Sequence, residues 1–133
     1  MIIMMSEKRV KRCAKRMQKI LDMIGIDLRY TACLELAAQL HGFDDWHHFL
    51  ERDLDAPLSL LDEDLAEADF AARDAFQMAV LQAAGLGEVA RELLDRANPT
   101  GSWALQTVTT ASPVAIGGND QGRWSEDRQS SDG

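Results

Sequence analysis

Aromatic side chains are scarce in this chain of 133 residues: four Phe, three Trp and one Tyr, 6% of the total. With so few rings, alanine and leucine must do most of the packing, and one modest core is the expectation rather than two domains. Cysteine is scarcer still. Cys13 and Cys33 lack CxxC spacing, so they supply neither a disulfide framework nor a thiolate zinc site, and a reducing, cytoplasmic setting is expected. Long apolar runs are missing too. Met1 to Met5 is apolar for only five residues before turning basic, the reverse of a signal peptide's order and far short of a membrane span. With Met4 and Met5 so near, a start a few residues further in is an open alternative. Motifs that carry chemistry are also absent: there is no GxSxG, no HExxH and no phosphate-cradling glycine loop after a strand. No cofactor and no catalytic residue is therefore expected, and the chain reads as a non-enzyme.

What is present is a sharp division of charge. The net charge is −8, yet residues 1–30 hold eight Lys/Arg against three acids, whereas residues 31–74 hold twelve acids against two arginines. Such halves can neutralise each other within one fold or between two copies.

Helical periodicity dominates the first hundred residues. Val10, Cys13, Ala14, Met17, Ile20, Leu21 and Ile24 recur three and four apart, which predicts a helix from Ser6 to about Ile24, capped by Ser6 and stopped by Gly25. A second helix is expected over 31–41, with Leu34, Ala37, Ala38 and Leu40 inward, and Gly42 is placed to end it. Asp44 or Asp45 offers an N-cap for a short third helix through about Asp53. A fourth should run from about Asp62 to Ala84, with Leu65, Phe70, Ala72, Phe76, Ala79, Val80 and Ala83 as its apolar cover, and a fifth from Glu88 to Ala97. The fold expected is all-α: a small bundle of about five helices over residues 1–98, an extended segment over 99–116, and an irregular, disordered tail over 117–133.

Two features invite a functional reading. The first helix carries Lys8, Arg9, Lys11, Arg12, Lys15, Arg16 and Lys19, a cationic face suited to phosphates, anionic membranes or an acidic protein surface. The other is the stretch GFDDWHH, in which His47 and His48 are adjacent. Neighbouring residues on a helix point about 100° apart, so these two cannot chelate one ion together, and no metal site is expected. Gly42, Phe43, Trp46 and Phe49 read instead as a structural corner, with the histidines at its rim.

Residues 14–50, AKRMQKILDMIGIDLRYTACLELAAQLHGFDDWHHFL, resemble a helical segment of bacterial glyoxalase-related proteins, through Ala14, Lys15, Leu21, Gly25, Leu34, Glu35, Ala37, Leu40, Gly42, Phe43, Asp45, Trp46 and Phe49. The portion from Ala37 to Trp46 is also similar to a segment found in bacterial ankyrin-repeat proteins, which implies a portable helix-turn-helix corner. Tyr30, Thr31 and Ala32 depart from the family's usual His-Ser-Gln, and the βαβββ units of glyoxalase catalysis are not predicted here. A second likeness is to the helix-turn-helix of arabinose-regulator-type activators, matched by Ala38, Gly42, Phe43, Asp45 and Phe49, with His47 and Glu51 where serine and arginine are usual.

The expectation is a small cytoplasmic bacterial interaction or regulatory module that binds another protein or itself. Its contacts would be Lys11, Arg12, Lys15, Arg16 and Lys19, in a groove between the basic helix and the Trp46 corner. The alternatives are a helix-turn-helix nucleic-acid binder, disfavoured by the acidic charge, and an accessory domain of a glyoxalase-type metalloenzyme.

Overall fold

The computed structural model describes residues 1–102, and the extended segment and tail expected over 103–133 lie outside the described residues. Within them the protein is all-helical, with helices α1 (Glu7–Met23), α2 (Tyr30–Leu40), α3 (Trp46–Leu50), α4 (Glu67–Ala83) and α5 (Ala90–Ala97). Short 3-10 turns, Asp62–Asp64 and Gly87–Val89, lead into the last two. No described helix is long and apolar enough to cross a membrane. Residues 1–101 form one compact unit, so the helical domain extends past Asn98.

α1 forms where its stripe demands. The Ser6 side chain accepts the Arg9 N–H, and Val10, Cys13, Ala14, Met17, Ile20 and Leu21 are all buried. Gly25, at φ +89, takes the turn away from the helix. α2 buries Cys33, Leu36, Ala37, Ala38 and Leu40. α1 and α4 each pack against both α2 and α5, so the four helices close a ring with α1 and α4 at opposite corners.

The N-terminal residues belong to this core. Ile3 and Met5 are buried, the Ile3 N–H donates to the His41 carbonyl at 2.8 Å, and Met4 exchanges two hydrogen bonds with Ser59. A chain begun at Met4 or Met5 would lose Ile3 from the interior.

α4 departs most from expectation. Of its supposed apolar cover, Ala72, Ala79 and Ala83 are exposed, Phe70 is 43% exposed, and Leu65, Phe76 and Val80 are half-buried. The helix buries Arg73, Gln77 and Leu81 instead. The inversion is stable because each buried polar group is met. Arg73 donates to the Leu60 carbonyl and to Asp62, Gln77 donates to the Leu40 carbonyl and to Thr100, and the Thr100 hydroxyl donates to Asp62. Two further boundaries move. α4 begins at Glu67 rather than at Asp62, because extended backbone at Leu65 and Ala66 separates it from the acidic 3-10 turn, and α3 stops at Leu50 instead of near Asp53. The start of the expected extended segment is likewise different: Pro99, Thr100 and Gly101 are buried, held in a turn after Asn98, whose φ of +48 ends α5 in the left-handed region.

Candidate partner-binding surface

The outer face of α1 carries the cations, and the fold sorts them into two groups. Arg16 lies toward α5, where its guanidinium donates to the carbonyls of Ala97 at 3.0 Å and Arg96 at 3.1 Å, groups left over at the helix end. Burial lowers the affinity of this guanidinium for its proton. Arg9 turns the same way and donates to the Gly101 carbonyl. These two arginines lock α1 to the end of α5. Of the five expected contact residues, then, Arg16 is committed inside the fold.

Lys8, Arg12, Lys15 and Lys19 form the second group. They are spaced four, three and four residues apart, all exposed, and centred opposite the buried stripe of α1. None of the four makes an ion pair among the described residues. Lys11, beside them, pairs with Glu7 at 3.0 Å, and that hydrogen bond raises its affinity for its proton. Eleven residues of helix separate Lys8 from Lys19, a row about 16 Å long. At its far end Lys19 borders a recess of about 200 Å³ with Arg16, Ile20 and Arg96.

No acid of residues 44–74 forms an ion pair with this row among the described residues, although Asp62 and Glu63 face Arg9 on the same helix. Asp62 is taken by Arg73 at 3.0 Å and Asp74 by Arg91 at 2.7 Å, which holds the Asp74 carboxyl below its ordinary range. Asp45 caps α3 by accepting the His48 N–H at 2.7 Å, and Glu35 accepts the Trp46 N–H beside it. Lys8 was not among the expected contacts, although its spacing to Arg12 is the signal that places it in the row.

Gly42, Phe43, Trp46 and Phe49 do meet in one corner. Phe49 is fully buried; Trp46 stacks on it at 5.1 Å between ring centroids, Phe43 meets it edge-on at 5.3 Å, and the Arg52 guanidinium lies 4.0 Å from the ring centre. Gly42 is required twice over. Its φ is +94, and a Cβ there would collide with the Met1 carbonyl. α1 and α3 both pack on α2, and the recess beside the corner opens not toward α1 but toward α4: about 570 Å³ lined by Gln39, Gly42, Phe43, Asp44, Phe76, Val80, Ala83 and Ala84.

His47 and His48 sit exposed at the rim. His47 approaches Glu51 at 3.2 Å, and Nδ1 of His48 accepts the Asp44 N–H at 3.0 Å. The Asp44 carboxylate lies 3.8 Å from the same nitrogen. Among the described residues no group of three or more His, Cys, Asp or Glu could hold a metal ion. The Cys13 thiol, pushed up to about 12 by burial, is no thiolate at neutral pH. Comparison with family models, curated proteins and solved structures finds no match to this chain.

Proposed function

We propose that this protein is a non-catalytic interaction module, glyoxalase-related in its first half, whose α1 row docks on an acidic surface of another protein. The observation that carries the reading is the set of four exposed cations, Lys8, Arg12, Lys15 and Lys19, without ion pairs among the described residues although the chain has an excess of acids. Exposed lysines and arginines at these spacings cost little to leave solvated, and they gain when a partner supplies carboxylates. Arg9 and Arg16 support the row from behind by fixing α1 against α5. Contacts of this kind are screened by salt, so association is expected to weaken as ionic strength rises.

A nucleic-acid partner would use the same row on phosphates. The corner argues against that alternative: α3 has five residues, and Asp44, Asp45 and Glu51 crowd the ends that would approach the backbone. Capture from cell extract on the immobilised full chain, in parallel with its Arg12→Glu/Lys15→Glu variant, separates the two. The expected outcome is acidic proteins that elute with salt and are lost with the variant. Capture that nuclease abolishes, or that the variant retains, contradicts the reading.

A further inference from the structure

His41 is a titratable side chain enclosed in the domain with one ring nitrogen left over. The residue is fully buried, Nδ1 donates to the Ala37 carbonyl at 2.7 Å, and Nε2 has no hydrogen-bond partner. Neutral His41 tolerates this, because a bare nitrogen acceptor costs less than a charged donor left unmet. A second proton would sit on Nε2 and require an acceptor. The charged groups that face the ring are Arg9 from α1, Arg73 from α4 and Asp62 from the first 3-10 turn. The two guanidiniums can only donate. Asp62, the one counter-charge among them, already accepts from Arg73 at 3.0 Å and from the Thr100 hydroxyl at 2.7 Å. The closed domain thus has no acceptor set aside for a charged His41.

Residues 1–5 run over the His41–Gly42 turn. The Ile3 N–H donates to the His41 carbonyl at 2.8 Å, the Met1 carbonyl lies where a Cβ on Gly42 would stand, and Met4 exchanges two hydrogen bonds with Ser59, each of 2.8 Å. This segment has no helix of its own, so few hydrogen bonds must break for it to lift, whereas α1, α2 and α4 would each have to give up a packed face. We infer that residues 1–5 form an acid-released strap: protonation of His41 lifts them from the His41–Gly42 turn and uncovers the apolar side chains of Ile3 and Met5. Opening lets water reach Nε2 and solvate the new charge, and it exposes two side chains that the closed form buries. Burial, with Arg9 and Arg73 in the same sense, lowers the His41 pKa from 6.5 to about 4 in the closed form. The closed form therefore binds the proton more weakly than the open one, so opening gains as pH falls below about 6.5 and levels off below about 4. From pH 7 to pH 5 the opening constant should rise about twentyfold. The α1 row takes no part in this device.

Native-state hydrogen exchange on the full chain, at pH 7 and at pH 5 and with small additions of urea, tests the strap once intrinsic exchange rates are corrected for. The Ile3 and Ser59 amides are expected to exchange through an opening that urea hardly affects, faster than the Leu81 amide inside α4, and about twentyfold more readily at pH 5 than at pH 7. His41→Leu and His41→Gln, neither of which can take up the charge, should each abolish that pH response. Ser59→Ala, which removes the acceptor of the Met4 N–H, should speed Ile3 exchange at pH 7 and keep the same ratio between the two pH values. An Ile3 amide that follows the urea slope of Leu81 would mean that only global unfolding uncovers His41, and it overturns the proposal. So does a pH response that survives in both His41 variants, or Ile3 exchange that Ser59→Ala leaves unchanged.

Discussion

Gly42 and His41 show how much of the fold hangs on single positions next to each other. Gly42 turns the chain at positive φ and lies against the Met1 carbonyl, whereas Gly25, also at positive φ, has nothing within 4 Å of where a Cβ would stand. Gly42→Ala is therefore expected to cost about 2 kcal/mol or more and Gly25→Ala only about 1, read from urea denaturation midpoints. His41 is fully buried; its Nδ1–H donates to the Ala37 carbonyl at 2.7 Å, and its Nε2 has no partner. Burial pushes its pKa down from 6.5 to about 4, with Arg9 and Arg73 acting in the same sense and the Ala37 bond and Asp62 against it. The folded state thus binds the proton more weakly than the unfolded chain does, so stability is full above the unfolded value and declines as pH falls from about 6.5 toward about 4. Between pH 7 and pH 5 the loss should be on the order of 2 kcal/mol. In His41→Leu that decline should be largely absent; an unchanged slope would mean that other groups carry it.

At the scale of the element, α1 and α4 make opposite lessons. The stripe of α1 was legible because all its buried residues are apolar and local spacing alone selects the inward side. Even so, periodicity could not tell which cations serve the fold. Arg12 and Arg16 are equivalent on a helical wheel's polar side until α5 arrives with its free carbonyls. Replacing Arg16 with Ala should cost roughly 1–3 kcal/mol through those unmet carbonyls, while Arg12→Ala should stay within about 0.5, measured by chemical denaturation. A comparable loss for both would remove the distinction between locking and docking cations. α4 misled the reading because its buried side is chosen by partners distant in sequence: the Leu40 and Leu60 carbonyls, Asp62 and Thr100. No local pattern announces that an arginine will find two acceptors inside. The corner was easier, since the Gly-Phe turn, the Asp45 cap and rings at helical spacing are all local signals.

Across the whole molecule, the ring of α1, α2, α4 and α5 holds a cationic row at one corner and an uncharged apolar face at the opposite one. The division of charge along the sequence suggested that its halves can neutralise each other within one fold or between two copies. Within the fold they meet in part: Asp62 and Glu63 face Arg9 of α1, while Asp62 also pairs with Arg73, Asp74 with Arg91 and Asp45 caps α3; Lys8, Arg12, Lys15 and Lys19 make no ion pair among the described residues. The most direct measurement is fluorescence anisotropy of a labelled poly-glutamate peptide titrated with the full chain at low and at high salt, alongside a labelled DNA duplex. The account predicts peptide binding at low salt that weakens at least tenfold at high salt and vanishes in Arg12→Glu/Lys15→Glu, with the duplex unbound. No peptide binding at low salt, binding that the variant retains, or binding of the duplex alone would contradict it.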